Sequence, residues 1–169
     1  MESSDGFPPI ERPDARILVL GSLPGRKSIT EQQYYAHPQN AFWPIMREVF
    51  GIAGEYHLRC TRLRERRIAL WDVLKSSQRP GSLDSDIRMH SAQPNNFDEF
   101  FKQHPAIELV AFNGRKAEQM FNRFVGSAIT PRTLEKIGLP STCPAYAAMP
   151  FSGKLSAWRT ALLPILEQE

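Results

Sequence analysis

A glycine turn and an amide set among aromatic rings are the parts of this chain best equipped for chemistry. The turn is Gly21-Ser22-Leu23-Pro24-Gly25, and it follows the apolar run Ile17-Leu18-Val19-Leu20. The cluster beyond it is Tyr34-Tyr35-Ala36-His37-Pro38-Gln39-Asn40-Ala41-Phe42-Trp43. Glycines let a flat ligand approach the backbone closely. An amide such as Asn40 both donates and accepts, so it can read the edge of a nucleobase or fix a water. Tyr34, Tyr35 or Phe42 can stack on a flat ring. Each residue also has a plainer reading, Asn40 as a helix cap and the rings as core. A core strand does not need a tight turn, prolines, an amide and several aromatics within about one loop length.

Several other chemistries fail on spacing. The P-loop pattern is Gly-x-x-x-x-Gly-Lys. Here three residues separate Gly21 from Gly25, Arg26 stands before Lys27, and Pro24 removes a backbone donor. Nucleotide hydrolysis is therefore rejected. Cys60 and Cys143 are too few for a thiolate metal site and belong to no CxxC; they read as free, packed thiols. His37, His57, His90 and His104 show no metal-ligand spacing, and only His37 lies in the dense cluster. An esterase would need a Gly-x-Ser-x-Gly elbow, which is missing.

The elements that must position the turn and the amide alternate. Residues 16–20, 68–74, 107–112 and 133–137 read as strands, short and apolar between turn residues. Residues 41–50, 55–67, 97–103, 115–124 and 152–167 read as helices, with Gly51 as a stop and Asn96 as a cap. Residues 76–94 read as loop, with a short helix around Asp86. Strands alternating with helices imply a parallel sheet covered on both faces. Ligands of such sheets bind beyond the carboxyl ends of the strands. The turn 21–25, Asp72, Asn113-Gly114 and residues 139–144 should then meet at one edge.

Size and composition set the frame. The 169 residues, 41% hydrophobic and 23% charged, suit one globular domain. Residues 1–15 read as a partly ordered lead-in and 16–169 as the domain. No stretch is long and apolar enough to span a bilayer, and the acidic start lacks a secretory pattern, so a cytoplasmic monomer is expected. Net charge is +3 and the pI near 9.0, compatible with a polyanionic partner. The crowd of Arg59, Arg62, Arg64, Arg66 and Arg67 reads first as a solvated helix face, ahead of a phosphate-binding stripe.

Four blocks taken together resemble a known family: the turn 21–25, then Tyr35-x-His37-Pro38-x-Asn40-x-Phe42-Trp43, then Phe112-Asn113-Gly114, then Leu139-Pro140-Ser141-Thr142-x-Pro144-Ala145. Their order and spacing resemble the hypoxanthine-DNA glycosylase branch of the uracil-DNA glycosylase superfamily. The resemblance implies a three-layer α/β/α sandwich around a four-stranded parallel sheet. It also implies monofunctional excision of a deaminated base from DNA, with no metal or organic cofactor. Other branches carry a water-activating Asp or Asn inside the turn, where this chain has Ser22-Leu23. In the hypoxanthine branch that role passes to the amide of the second block, Asn40, with Asn113 as a second catalytic amide. Leu139 stands where uracil-specific enzymes begin the last block with a catalytic His. Tyr146 stands where the branch has Asn.

On this reading Gly21, Ser22, Leu23, Pro24, Gly25, Tyr35, His37, Phe42 and Asp72 hold the base, with Phe42 stacking on it. Lys27, Arg115, Lys116, Ser141, Thr142 and Lys154 contact DNA, and Tyr146 or Met149 fills the gap left by the flipped base. Two other readings stay open. One is the same fold specific for uracil or xanthine. The other is a nucleic-acid-binding module that has lost its chemistry.

Overall fold

A computed structural model describes residues 3–79, 83, 87–126 and 134–168. In chain order the elements are β1 (Ser3–Asp5), β2 (Ile17–Gly21), α1 (Arg26–Glu31), α2 (Phe42–Phe50), α3 (Tyr56–Glu65), β3 (Ile68–Asp72), β4 (Leu74–Gln78), a 3-10 turn (Met89–Ser91), β5 (Gln93–Pro94), α4 (Phe97–Gln103), β6 (Leu109–Asn113), α5 (Arg115–Phe124), β7 (Glu135–Leu139) and α6 (Phe151–Glu167).

The expected four-stranded parallel sheet is present, in the order β3-β2-β6-β7. Its central strands are continuous apolar runs because both faces are covered. Side chains alternate across the pleat. Ile17, Val19, Ile68, Leu70, Leu109 and Ala111 face a core closed by α2, α3 and α6. Leu18, Leu20, Ala69, Val110 and Phe112 face a second core filled by the phenylalanines of α4 and α5. The register places Gly21 opposite Asp72 and Asn113 opposite Leu139. Four strand-terminal residues therefore lie along one edge, and every loop that leaves it begins from a fixed point.

Several expectations change. The strand expected over 68–74 stops at Asp72. The backbone N–H groups of Val73 and Leu74 donate to Gly21 and Ser22 carbonyls, at 2.8 and 3.2 Å, and this bends the chain away. It then enters a second sheet, β1-β4-β5, antiparallel, within the stretch read as loop; the helix expected around Asp86 lies outside the described residues. The last strand is Glu135–Leu139 rather than 133–137, with Thr133 outside the described residues. The lead-in is knit into the fold: β1 pairs with β4, and Ile10, 5% exposed, bridges to Leu70. Two side-chain bonds lock it further. Trp71 Nε1 donates to the Phe7 carbonyl at 3.1 Å, and Glu11 meets the buried His104 ring at 2.6 Å. Short-range composition did not reveal this, because each partner lies far along the chain. Asn96 caps α4 as expected, accepting from the Glu99 N–H at 3.1 Å. Among the described residues no helix is long and apolar enough to cross a membrane.

Ile10→Ala should destabilise the fold by about 2–4 kcal/mol in urea unfolding, as a core truncation does. A loss under about 0.5 kcal/mol, typical of a surface change, would mean the lead-in is not part of the core.

Candidate active site

The carboxyl edge opens into a cavity of about 900 Å³. It is walled by the turn 21–25, the start of α1, Tyr34, Tyr35, His37, Asn40, Asp72, Asn113 and the loop 141–146. The four segments expected to meet do so. Asp72 is the one carboxylate among the described lining residues.

The turn is tied down through its carbonyls. The carbonyls of Gly21, Ser22 and Gly25 accept from Val73, Leu74 and Ile29 N–H groups, and the Pro24 carbonyl accepts from the guanidinium of Arg79. Four of the turn's backbone oxygens are thus bonded within the fold. Arg79 is 4% exposed and 55 residues from Pro24; no sequence pattern marked it. Gly21 is required by crowding. A Cβ there would lie 2.6 Å from the Asp72 carboxylate and 2.8 Å from the Tyr35 hydroxyl, so these two polar groups converge on one backbone point at the pocket wall.

The aromatic cluster divides its labour. Tyr34 is pinned on three sides. Its N–H donates to Tyr56 Oη at 3.0 Å, its carbonyl accepts from Trp43 Nε1 at 2.8 Å, and its hydroxyl donates to the Pro8 carbonyl at 2.9 Å. Burial pushes its phenol far above the usual tyrosine range. Phe42 is fully buried and touches the edges of Trp43 and Trp158. It is not a pocket residue, which corrects the expectation that it stacks on a base. Tyr35 lines the cavity and packs on Phe42, with ring centroids 4.5 Å apart. Its φ of +55° is the left-handed conformation, uncommon for a bulky residue.

Asn40 does cap the helix in effect. Its Oδ1 accepts the N–H of Phe42 at 2.9 Å, which fixes the amide with one oxygen lone pair and both Nδ2 hydrogens available. The cap and the pocket role are compatible because Asn40 also lines the cavity.

Asn113 and Thr142 form a buried clasp. Asn113 Nδ2 donates to Thr142 Oγ1 and its Oδ1 accepts the Thr142 N–H, both at 2.9 Å. The Thr142 carbonyl accepts the Ala41 N–H at 2.9 Å. Gly114, φ +97°, carries no Cβ because Ser141 Cβ would be 3.1 Å from it. Most of the Asn113 amide is used in holding this loop, a structural part in addition to any contact with a ligand. Cys143 is half-buried at the wall, and burial pushes the distant Cys60 thiol up.

The expected DNA contacts scatter. Lys27 and Arg115 are exposed, Lys116 is half-buried and Tyr146 projects at the rim. Lys27 pairs with Glu31 at 3.1 Å. Met149 packs against Gly153, off the cavity wall. Lys154 corrects the expectation of a phosphate contact. It is 5% exposed, and burial lowers its amine below the usual lysine range.

The family model for the uracil DNA glycosylase superfamily matches residues 8–167. Two curated relatives carry the name hypoxanthine DNA glycosylase. The one from Methanosarcina barkeri is 39% identical and the one from Methanosarcina acetivorans 40% identical, each over 115 residues, 66% of this chain and 72% of the relative. A solution NMR structure of a candidate uracil DNA glycosylase from Methanosarcina acetivorans superposes with a TM-score of 0.75 at 33% identity. It covers 94% of this chain and 98% of its own.

Gly21→Ala should lower stability by about 1–3 kcal/mol, the range for overpacking; an unchanged Tm would mean the Asp72 and Tyr35 side chains are not fixed against this residue. Phe42→Leu should lower stability with little effect on ligand affinity, and Tyr35→Ala the reverse; a common pattern in both would remove the distinction between core ring and pocket ring.

Proposed function

The chain belongs to the uracil-DNA glycosylase superfamily, and we propose that it is a monofunctional DNA glycosylase that releases hypoxanthine from deoxyinosine. One observation carries the reading. The Gly-Pro turn holds no water-activating side chain, and Asn40, fixed by the Phe42 N–H at 2.9 Å, faces the same cavity. The names of the two curated relatives support the same substrate.

The lesion arises when adenine is deaminated opposite thymine. Extruding it costs a few kcal/mol, least for a mispaired base. The purine enters the cavity against the Tyr35 ring, which Phe42 backs from behind. Hypoxanthine differs from adenine at two neighbouring atoms, a carbonyl at C6 and a proton on N1. The Asp72 carboxylate accepts that N1–H. Adenine presents a lone pair there, which a carboxylate repels, so the undamaged base is disfavoured by facing lone pairs. The amides of turn 21–25 and the remaining Asn113 N–H donate to the base.

The C1′–N9 bond breaks first, its electron pair leaving with the purine while positive charge grows on the sugar. Each fixed donor aimed at the departing anion is worth about 3–4 kcal/mol, by analogy with oxyanion holes. Asn40 Oδ1 accepts a hydrogen bond from a water placed near C1′. That water's oxygen adds to C1′, and its proton is released to solvent or to the departing base. An amide cannot remove a proton fully, and an oxocarbenium-like centre does not require it to. Lys27, Arg115 and Lys116 supply phosphate contacts, and Tyr146 occupies the space the base vacates. The protein acts as a monomer.

Purified protein with chelator should release base from inosine-containing duplex, read as alkali cleavage at the abasic site. Asn40→Ala should abolish release with Tm retained. The log of kcat should be flat around neutral pH, whereas a limb that titrates and disappears in Asp72→Asn would transfer water activation to Asp72. Cleavage at uracil alone would place the chain in a sister specificity. Affinity for duplex should fall about 10- to 100-fold from low to physiological salt; a salt-independent affinity would remove the phosphate contacts.

A further inference from the structure

Lys154 is a buried ammonium with no carboxylate partner among the described residues. It sits in the first turn of α6, and its side chain reaches the loop that carries Cys143 and Tyr146. Its Nζ is 3.4 Å from the Cys143 carbonyl oxygen and 5.3 Å from the centroid of the Tyr146 ring. The same carbonyl accepts the Tyr146 N–H at 3.0 Å. The ammonium therefore touches a tight turn at its closing hydrogen bond and at the ring the turn carries. Burying an ammonium is unfavourable unless something replaces its water. Here a carbonyl dipole and an aromatic face do so. Tyr146 is 40% exposed at the pocket rim, where a ring without such support would sample several rotamers.

We infer that Lys154 is a positioning residue that holds the Tyr146 ring ready to fill the gap left by a flipped base. The inference rests on the base-flipping reading above. A ring ordered before DNA arrives has less rotamer freedom to lose on insertion. A phosphate-binding lysine would leave its ammonium hydrated on the surface, and this one does not.

The test compares single-turnover base release from inosine in a duplex and in a single strand of the same sequence. Only the duplex has a gap to fill, so the ratio of the two rates reads the ring's placement and not the integrity of the pocket. Lys154→Met should lower that ratio about tenfold, within the range of a desolvated cation–π contact. Lys154→Arg, which keeps a cation over the ring, should restore most of it. In a Tyr146→Ala background, Lys154→Met should change the ratio by less than about twofold, since contacting partners are not additive. Equal losses on both substrates, or a full effect without the Tyr146 ring, would overturn the role. So would a salt slope of duplex binding reduced by about one phosphate contact in Lys154→Met. If the wild-type protein releases no base from either strand form, the glycosylase reading fails and this role fails with it.

Discussion

Thr142 uses every polar group it has to join three segments of the chain. Its N–H and hydroxyl meet the Asn113 amide, and its carbonyl meets the Ala41 N–H. The residue is 1% exposed, so each of these bonds lies out of water, where a missing partner costs about 1–3 kcal/mol. The end of β6, the loop before α6 and the start of α2 are thereby held at fixed separation. Asn40 precedes Ala41 directly. Its distance from the strand ends, and so from anything bound there, depends on this clasp more than on its own contacts.

The opposite wall is built by a similar economy of polar groups. The carbonyls of Gly21, Ser22, Pro24 and Gly25 are bonded into the fold by Val73, Leu74, Arg79 and Ile29. Gly21 lets a carboxylate and a phenol approach the same point.

This distribution accounts for the chemistry of a site whose turn lacks an acid or base. A dissociative pathway draws most of its help from stabilising the departing base, and the attacking water needs orientation more than deprotonation. An amide held by a helix N–H can orient. Asp72 is the single carboxylate among the described lining residues.

The sequence by itself determined the alternation of strands and helices, the carboxyl-edge location of the site, the turn and the Asn40 cluster. These are legible because side-chain period, turn residues and short motifs are local properties. The family followed from four such blocks. Tertiary structure alone decided which ring faces the pocket: Tyr35 and Phe42 are close in sequence, and a left-handed φ at Tyr35 with Trp158 packed on Phe42 separates their parts. It also decided that Asn113 grips Thr142 across 29 residues, that Arg79 orients the turn, that the lead-in is pinned by β3, β4 and α4, and that Lys154 turns inward. Each of these is a hydrogen bond or contact between residues far apart in sequence, and strand register and helix docking set such distances only after the whole core has formed.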